Sequence, residues 1–256
     1  MILLTGATGS IGSNVTSAMP LQFKLPIKME HLNQNLNVSE GDSLIHLAGI
    51  SNPKIVESDA DLSYDVNVRS TIALFRAFAA KGGRRFIFAS TGHVYGLTSP
   101  GSYSSESDAL RPQSMYAEQK IETEVLLTKL SQDFETDLLI LRIFSVFGPG
   151  MRENYLAGMI EKSINANGVL PIISPADDVR DFTTPQMIGH YLNRAVEIDM
   201  KKNLTLNLCS GIPRTIKAQV SANYPKIPLS NFVPGNSKIP WLVGNPSLMK
   251  EYFVEK

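Results

Sequence analysis

Cysteine is almost missing from this sequence: among 256 residues only Cys209 occurs. A single cysteine excludes an intrachain disulfide framework and any cysteine cluster for a metal, and a reducing compartment, the cytoplasm, is the expectation. An excess of either charge is missing too. With 24 Lys and Arg against 24 Asp and Glu, the overall field gives no ground for a nucleic-acid or anionic-membrane partner. No apolar run approaches the ~18 residues of a helical membrane span. MILLTGATGS begins directly as a strand, with neither a basic leader nor a cleavage site in it. The four histidines and the carboxylates show no metal-ligand spacing, so no metal is expected.

What is present is an alternation. Short apolar runs give way to helical patterns: MILLT then SNVTSAM, SLIHLAG then SYDVNVRSTIALFRAFAAK, RFIFAS then SMYAEQKIETEVLLTKL, and finally DLLILRIF. Nearly unbroken apolar strands separated by helices build a parallel sheet covered on both faces, so the expected fold is α/β, doubly wound and Rossmann-type. After about residue 148 the texture changes, and GPGM, NANGVLPIISP, NYPKIP and NFVPGNSKIP bring many of the 15 prolines and 18 glycines. The expected division is a dinucleotide-binding unit over 1–149, with a returning strand near 203–209, and a reduced substrate-binding region over 150–256.

TGATGSIGS sets Gly6, Gly9 and Gly12 between the first strand and a helix, with Thr8, Ser10 and Ile11 among them. A tight turn, close backbone approach and free amides are what a pyrophosphate requires, so this loop is expected to hold a dinucleotide. A site for NAD usually adds an acidic residue about 20 residues on, at the end of the second strand. The expected second strand, QFKLP, ends without one. Lys24 and Lys28 lie near enough to meet a 2′-phosphate, and Glu30 has the spacing without an evident strand end, so NAD or NADP stays open.

Tyr116 and Lys120 stand four residues apart in SMYAEQKIETE and project from one helix face. A nearby ammonium favours a phenolate, and moving a phenol from near 10 to neutrality takes roughly 4 kcal/mol of differential stabilisation. Upstream, RFIFASTGHVYG reads as a buried strand ending in Ser90 and Thr91. In an open α/β sheet the carboxyl ends of the strands carry the ligand, which puts both hydroxyls at the active edge beside the glycine loop. A hydroxyl there can hold a substrate oxygen while the phenol moves its proton.

Taken together, GATGSIG, HLAG, DVNVRST, FASTGHVYG, YAEQK with Glu124 beyond it, LRIFSVFGPG and DVRDFTT resemble the extended short-chain dehydrogenase/reductases of the NAD-dependent epimerase/dehydratase kind. The likeness runs in order over about residues 1–210. It implies that Tyr116 is the acid/base, that Lys120 holds the nicotinamide ribose and tunes the phenol, and that Thr91 takes the catalytic Ser/Thr position. It also implies that Asn67, Leu47, Ala48 and Gly49 lie along the cofactor, that Ser145 and Arg180 reach the substrate, and that the family's helix pair, here 61–81 and 114–130, builds a homodimer.

Departures from that family shape the expectation. About 33 residues separate the glycine loop from HLAG, too few for the usual two strands and their helices, so a sheet of about six strands is expected. Ser145 stands where nucleotide-sugar enzymes carry asparagine, and Val233 where they carry a phosphate-binding arginine. Gly92 and His93 replace the acid pair of 4,6-dehydratases, which argues against dehydration and makes His93 a second acid/base candidate facing the substrate, or equally a packed histidine. His46 is expected to be a satisfied core residue, and Cys209 a small buried one. The leading expectation is an NAD(P)-dependent nucleotide-sugar epimerase or 4-ketoreductase. Two alternatives stay open: a reductase of a small non-sugar carbonyl compound, and a non-catalytic dinucleotide-binding regulator.

Overall fold

A computed structural model describes residues 1–15, 38–153 and 155–253. Its strands in chain order are β1 (Ile2–Thr5), β2 (Ser43–His46), β3 (Arg85–Thr91), β4 (Asp137–Ile143), β5 (Ser145–Val146), β6 (Val179–Thr183), β7 (Asn203–Leu208), β8 (Pro213–Thr215) and β9 (Trp241–Leu242). Its α-helices are α1 (Pro53–Ser58), α2 (Ala60–Tyr64), α3 (Ser70–Ala79), α4 (Met115–Asp133), α5 (Leu156–Asn165), α6 (Pro185–Ala195), α7 (Ile216–Asn223) and α8 (Ser247–Phe253).

Among the described residues the main sheet has five strands in the order β1-β2-β3-β4-β7, every neighbour parallel. Side chains alternate across a strand, so adjacent apolar residues feed opposite faces. Leu4, Ile45, Ile87 and Leu139 pack beneath Ile188 and Leu192 of α6 and Met249 and Phe253 of α8. Leu3, Leu44, Phe86 and Leu138 pack beneath Leu74, Phe75 and Phe78 of α3 and Leu127 and Leu130 of α4. Burial on both faces is the reason the strands read as unbroken apolar runs, and the doubly wound reading holds. QFKLP, expected as a further strand, and the residues Lys24, Lys28, Glu30 and His31 lie outside the described residues.

The helix expected over 61–81 is three joined pieces: α2, a π-helical turn at Asp65–Arg69, and α3. Wider turns of this kind recur at functional sites, and this one carries Asn67. A smaller sheet joins β5, β6 and β8, with β9 beside β6. Its apolar packing centres on Phe147, Ile160, Ile173 and Val220. Among the described residues no helix is long and apolar enough to cross a membrane, and no group of three His, Cys, Asp or Glu is placed to hold a metal ion.

Candidate active site

Beyond the carboxyl ends of the main-sheet strands lies a cavity of about 530 Å³, within the ~300–1,000 Å³ of ordinary small-molecule sites. Gly6, Gly9, Ser10, Ile11 and Gly12 form one end of it; Leu47 and Gly49 continue that wall, and Thr91, Tyr116 and Lys120 line the other. Ser145, Arg152 and Tyr155 come from the chain beyond β4.

The glycine loop is built by close contact. Gly6 has φ of 72°, a left-handed conformation in which a side chain is strained, and a Cβ there would come within 2.8 Å of the Leu47–Ala48 peptide. A Cβ on Gly12 would stand 2.2 Å from the Gly6 carbonyl oxygen. The loop therefore lies bare against the end of β2, a cradle whose backbone an elongated phosphate-bearing ligand can approach.

Beneath the cradle His46 is fully bonded. Thr71 donates its hydroxyl proton to the Asn67 carbonyl (2.9 Å) and so accepts from His46 Nε2 (2.9 Å), which leaves Nδ1 to accept from the Thr5 hydroxyl at 2.7 Å. Burial first, and the Lys120 charge second, pull His46 down to about 3. It is a neutral core residue throughout the physiological range, as its place on β2 suggested.

Tyr116 and Lys120 sit on the first turns of α4, whose amino end is capped by the Ser114 hydroxyl accepting from the Ala117 amide. The buried Lys120 ammonium donates to the Ala89 carbonyl at 2.8 Å and lies over the rings of Phe88 (4.5 Å) and Tyr116 (5.7 Å). Burial brings Lys120 down to about 8, against the opposing pull of Glu124. Thr91 ends β3, and its oxygen accepts from the His93 amide at 3.2 Å, which leaves its hydroxyl proton free to be donated into the cavity. Burial, then Tyr155, pushes the Tyr116 phenol above its ordinary value rather than toward neutrality. Desolvation of the phenolate outweighs the ammonium one turn away.

The structure brings the other expected residues to this cavity unevenly. His93 and Ser145 line it, and burial, with Arg180 second, lowers His93 to about 4. Ser90 lines it too, yet its hydroxyl donates away from the cavity to Glu124. Thr8, Ala48, Asn67 and Arg180 are off the wall. The Asn67 amide is spent on both sides of the Ile50 peptide unit, at 2.8 and 3.0 Å, and on Gln119 at 2.8 Å, so it shapes the loop after β2. Arg180 is buried and ion-paired with Asp178 at 2.7 Å, because a guanidinium removed from water needs a carboxylate more than an open cavity.

Arg152, Tyr155 and Ser51 are among the lining residues that sequence patterns did not single out. Arg152 donates its backbone amide to the Ser10 hydroxyl (3.0 Å) and its guanidinium to the Thr8 carbonyl (2.7 Å). Tyr155 and Ser51 hydrogen-bond each other across 104 residues. With Arg180 withdrawn, Lys120 and Arg152 are the lysine and arginine on the wall among the described residues. The only sequence signal for Arg152 is its place just after GPG.

Comparison with known proteins adds the following. A family model described as the NAD dependent epimerase/dehydratase family matches residues 27–185. An uncharacterized UDP-glucose epimerase of Bacillus subtilis (strain 168), YtcB, is 28% identical over 216 residues, covering 71% of this chain and 68% of its own length. A UDP-glucose 4-epimerase of Vibrio cholerae is 27% identical over 191 residues, 64% of this chain and 57% of its own. The crystal structure of a Thermus thermophilus UDP-glucose 4-epimerase complexed with NAD superposes with a TM-score of 0.81 at 21% identity, over 98% of this chain and 92% of that one.

Proposed function

The chain belongs to the NAD dependent epimerase/dehydratase family, and from that membership we propose that it moves hydride at a carbon of a nucleotide sugar, as an epimerase or a 4-ketoreductase, with Tyr116 as acid/base. One observation carries this reading: Thr91, Tyr116 and Lys120 share a cavity wall that ends at the glycine loop. The relatives from Bacillus subtilis and Vibrio cholerae are named for UDP-glucose, and the Thermus structure is a complex with NAD, which favours NAD as the cofactor and a UDP-hexose as the substrate.

The dinucleotide would lie with its pyrophosphate at Gly6, Gly9 and Gly12 and its nicotinamide end toward Lys120. When bound it supplies a carbon that accepts and returns hydride. With the positive charge of an oxidised nicotinamide added to that of Lys120, Tyr116 would reach its phenolate form and take the proton of the sugar hydroxyl at its phenolic oxygen. Thr91 donates to the same sugar oxygen and holds it in line, since its own lone pair is already occupied by the His93 amide. Lys120, a cation fixed at Ala89, stabilises the phenolate formed on Tyr116. Arg152, bonded to the Ser10 hydroxyl and the Thr8 carbonyl at the glycine loop, would offer its guanidinium to a phosphate oxygen of the cofactor or the sugar nucleotide. His93 faces the sugar side as a neutral group.

Incubating the purified chain with UDP-glucose and following UDP-galactose by chromatography tests the proposal. NAD⁺ that survives purification and conversion without added cofactor favours epimerase; consumption of NAD(P)H with a 4-ketosugar favours the reductase. A thermal shift with neither UDP nor UDP-sugars would sink the nucleotide-sugar reading and leave the small-carbonyl reductase.

A further inference from the structure

Glu124 lies one helical turn past Lys120 on α4 and is buried in the main-sheet side of that helix. Its carboxylate serves two strands at once. Oε1 accepts the Ser90 hydroxyl at the end of β3, and Oε2 accepts Arg142 Nη2 of β4 at 2.8 Å, with Arg142 Nε shared between both oxygens at 3.3 Å. Arg142 continues the chain: its Nη1 donates to the Tyr95 hydroxyl at 3.0 Å, and that hydroxyl donates to Asn207 of β7 at 2.6 Å. Ser90 is bracketed by the two residues that matter most to the cavity on this strand, Ala89, whose carbonyl holds the Lys120 ammonium, and Thr91.

A buried arginine-glutamate pair has a bland explanation as internal charge compensation. That explanation leaves Ser90 unaccounted for, since Arg142 alone already pairs Glu124. It also does not require the pair to stand beside the proposed acid/base. We propose that Glu124 is a positioning residue for the proposed proton transfer, a buried anion that locks the strand end carrying Ser90 and Thr91 to the helix face carrying Tyr116 and Lys120. This rests on the proposed role of Tyr116, but its structural core does not.

The same anion sets the charge of Lys120. Among the described residues, the titratable or charged groups beside this ammonium are His46 from β2, Tyr116 and Glu124 from α4, and Arg142 from β4 paired with Glu124. His46 is neutral above about 3, so Glu124 is the group that supports the Lys120 charge while burial opposes it. Without Glu124 the ammonium loses its proton at a lower pH.

The test follows the Lys120 side chain directly, by ¹³C NMR of protein labelled at lysine Cε, with Lys120→Arg identifying the resonance. In the native chain the Lys120 signal is expected to titrate near pH 8, below the ordinary lysine range because of burial. In Glu124→Gln, which keeps size but removes the charge and exchanges one acceptor oxygen for an NH2 donor, the midpoint is expected to fall by at least about one pH unit, whereas simple destabilisation lowers Tm and leaves the midpoint in place. Ser90→Ala keeps the ion pair and is expected to displace the Lys120 resonance, because Ala89 adjoins it; this variant decides the matter if Glu124→Gln does not fold. A native midpoint in Glu124→Gln, or an unmoved Lys120 signal in Ser90→Ala, overturns the proposal. No substrate enters this measurement, so a chain that binds neither UDP nor UDP-sugars overturns the proposed function without obscuring the result.

Discussion

Lys120 and Tyr116 stand one helical turn apart with the ammonium 5.7 Å from the centre of the phenol ring, and the ammonium is anchored at the opposite strand by the Ala89 carbonyl. The pair is thus fixed from two sides, by its helix and by β3. Its spacing along the chain puts the residues on one face; the anchor decides where that face points.

Tyr116→Phe removes one oxygen from this wall. Turnover is expected to fall by ~10²–10⁴-fold, the ordinary worth of a positioned proton carrier, while the dissociation constant for NAD⁺ changes little. Steady-state kinetics beside calorimetric titration with NAD⁺ checks both halves, and retained turnover would remove Tyr116 from the chemistry.

Lys120→Met exchanges function for stability. Burial holds Lys120 at about 8, below its ordinary 10.5. The unfolded chain therefore binds the proton more tightly, and below pH 8 the fold carries the full cost of a desolvated charge. Removing that charge and leaving the Ala89 carbonyl without its donor are opposing effects, with a net gain of about 1–2 kcal/mol expected. Thermal unfolding at pH 7 should show a Tm a few degrees higher, alongside lost turnover; a lower Tm counts against the strain.

Arg152→Ala takes away a guanidinium that reaches the Thr8 carbonyl at the glycine loop. Affinity for a phosphate-bearing ligand is expected to weaken about tenfold, the scale of one charge-assisted hydrogen bond. Titrating NAD⁺ and UDP separately shows which ligand it serves. If neither binding constant moves, Arg152 only braces the loop.

Acid should weaken the fold. His46 and His93 are held near about 3 and about 4 by burial, whereas an unfolded imidazole takes its proton near 6.5. As pH falls from about 6.5 toward 4 the unfolded chain gains protons that the folded one refuses, so stability drops; for His46 the loss at pH 5 is about 2 kcal/mol. Urea midpoints at pH 7 and pH 5 give the sign, and equal midpoints would contradict the buried neutral histidines.

The outer faces of α2 and α4 meet through Tyr64 and Glu122, and Leu62 and Val125 lie exposed on them, 47% and 62% accessible. We expect a homodimer across this face. Sedimentation should show a dimer in the native chain and a shift toward monomer in Val125→Glu, and a concentration-independent native monomer would end the idea.

The alternation of strand and helix, the bare glycine turn and the Tyr116–Lys120 spacing were determined by sequence alone, because each depends on a local period or on backbone freedom. Side-chain destinations were not. Ser90 turns to Glu124, Asn67 to Ile50 and Arg180 to Asp178, while Arg152 comes to Ser10 from 142 residues away. Each outcome follows from a demand that arises only after packing: a polar or charged group shut off from water takes the nearest partner that packing supplies, and chain spacing does not specify which partner that is.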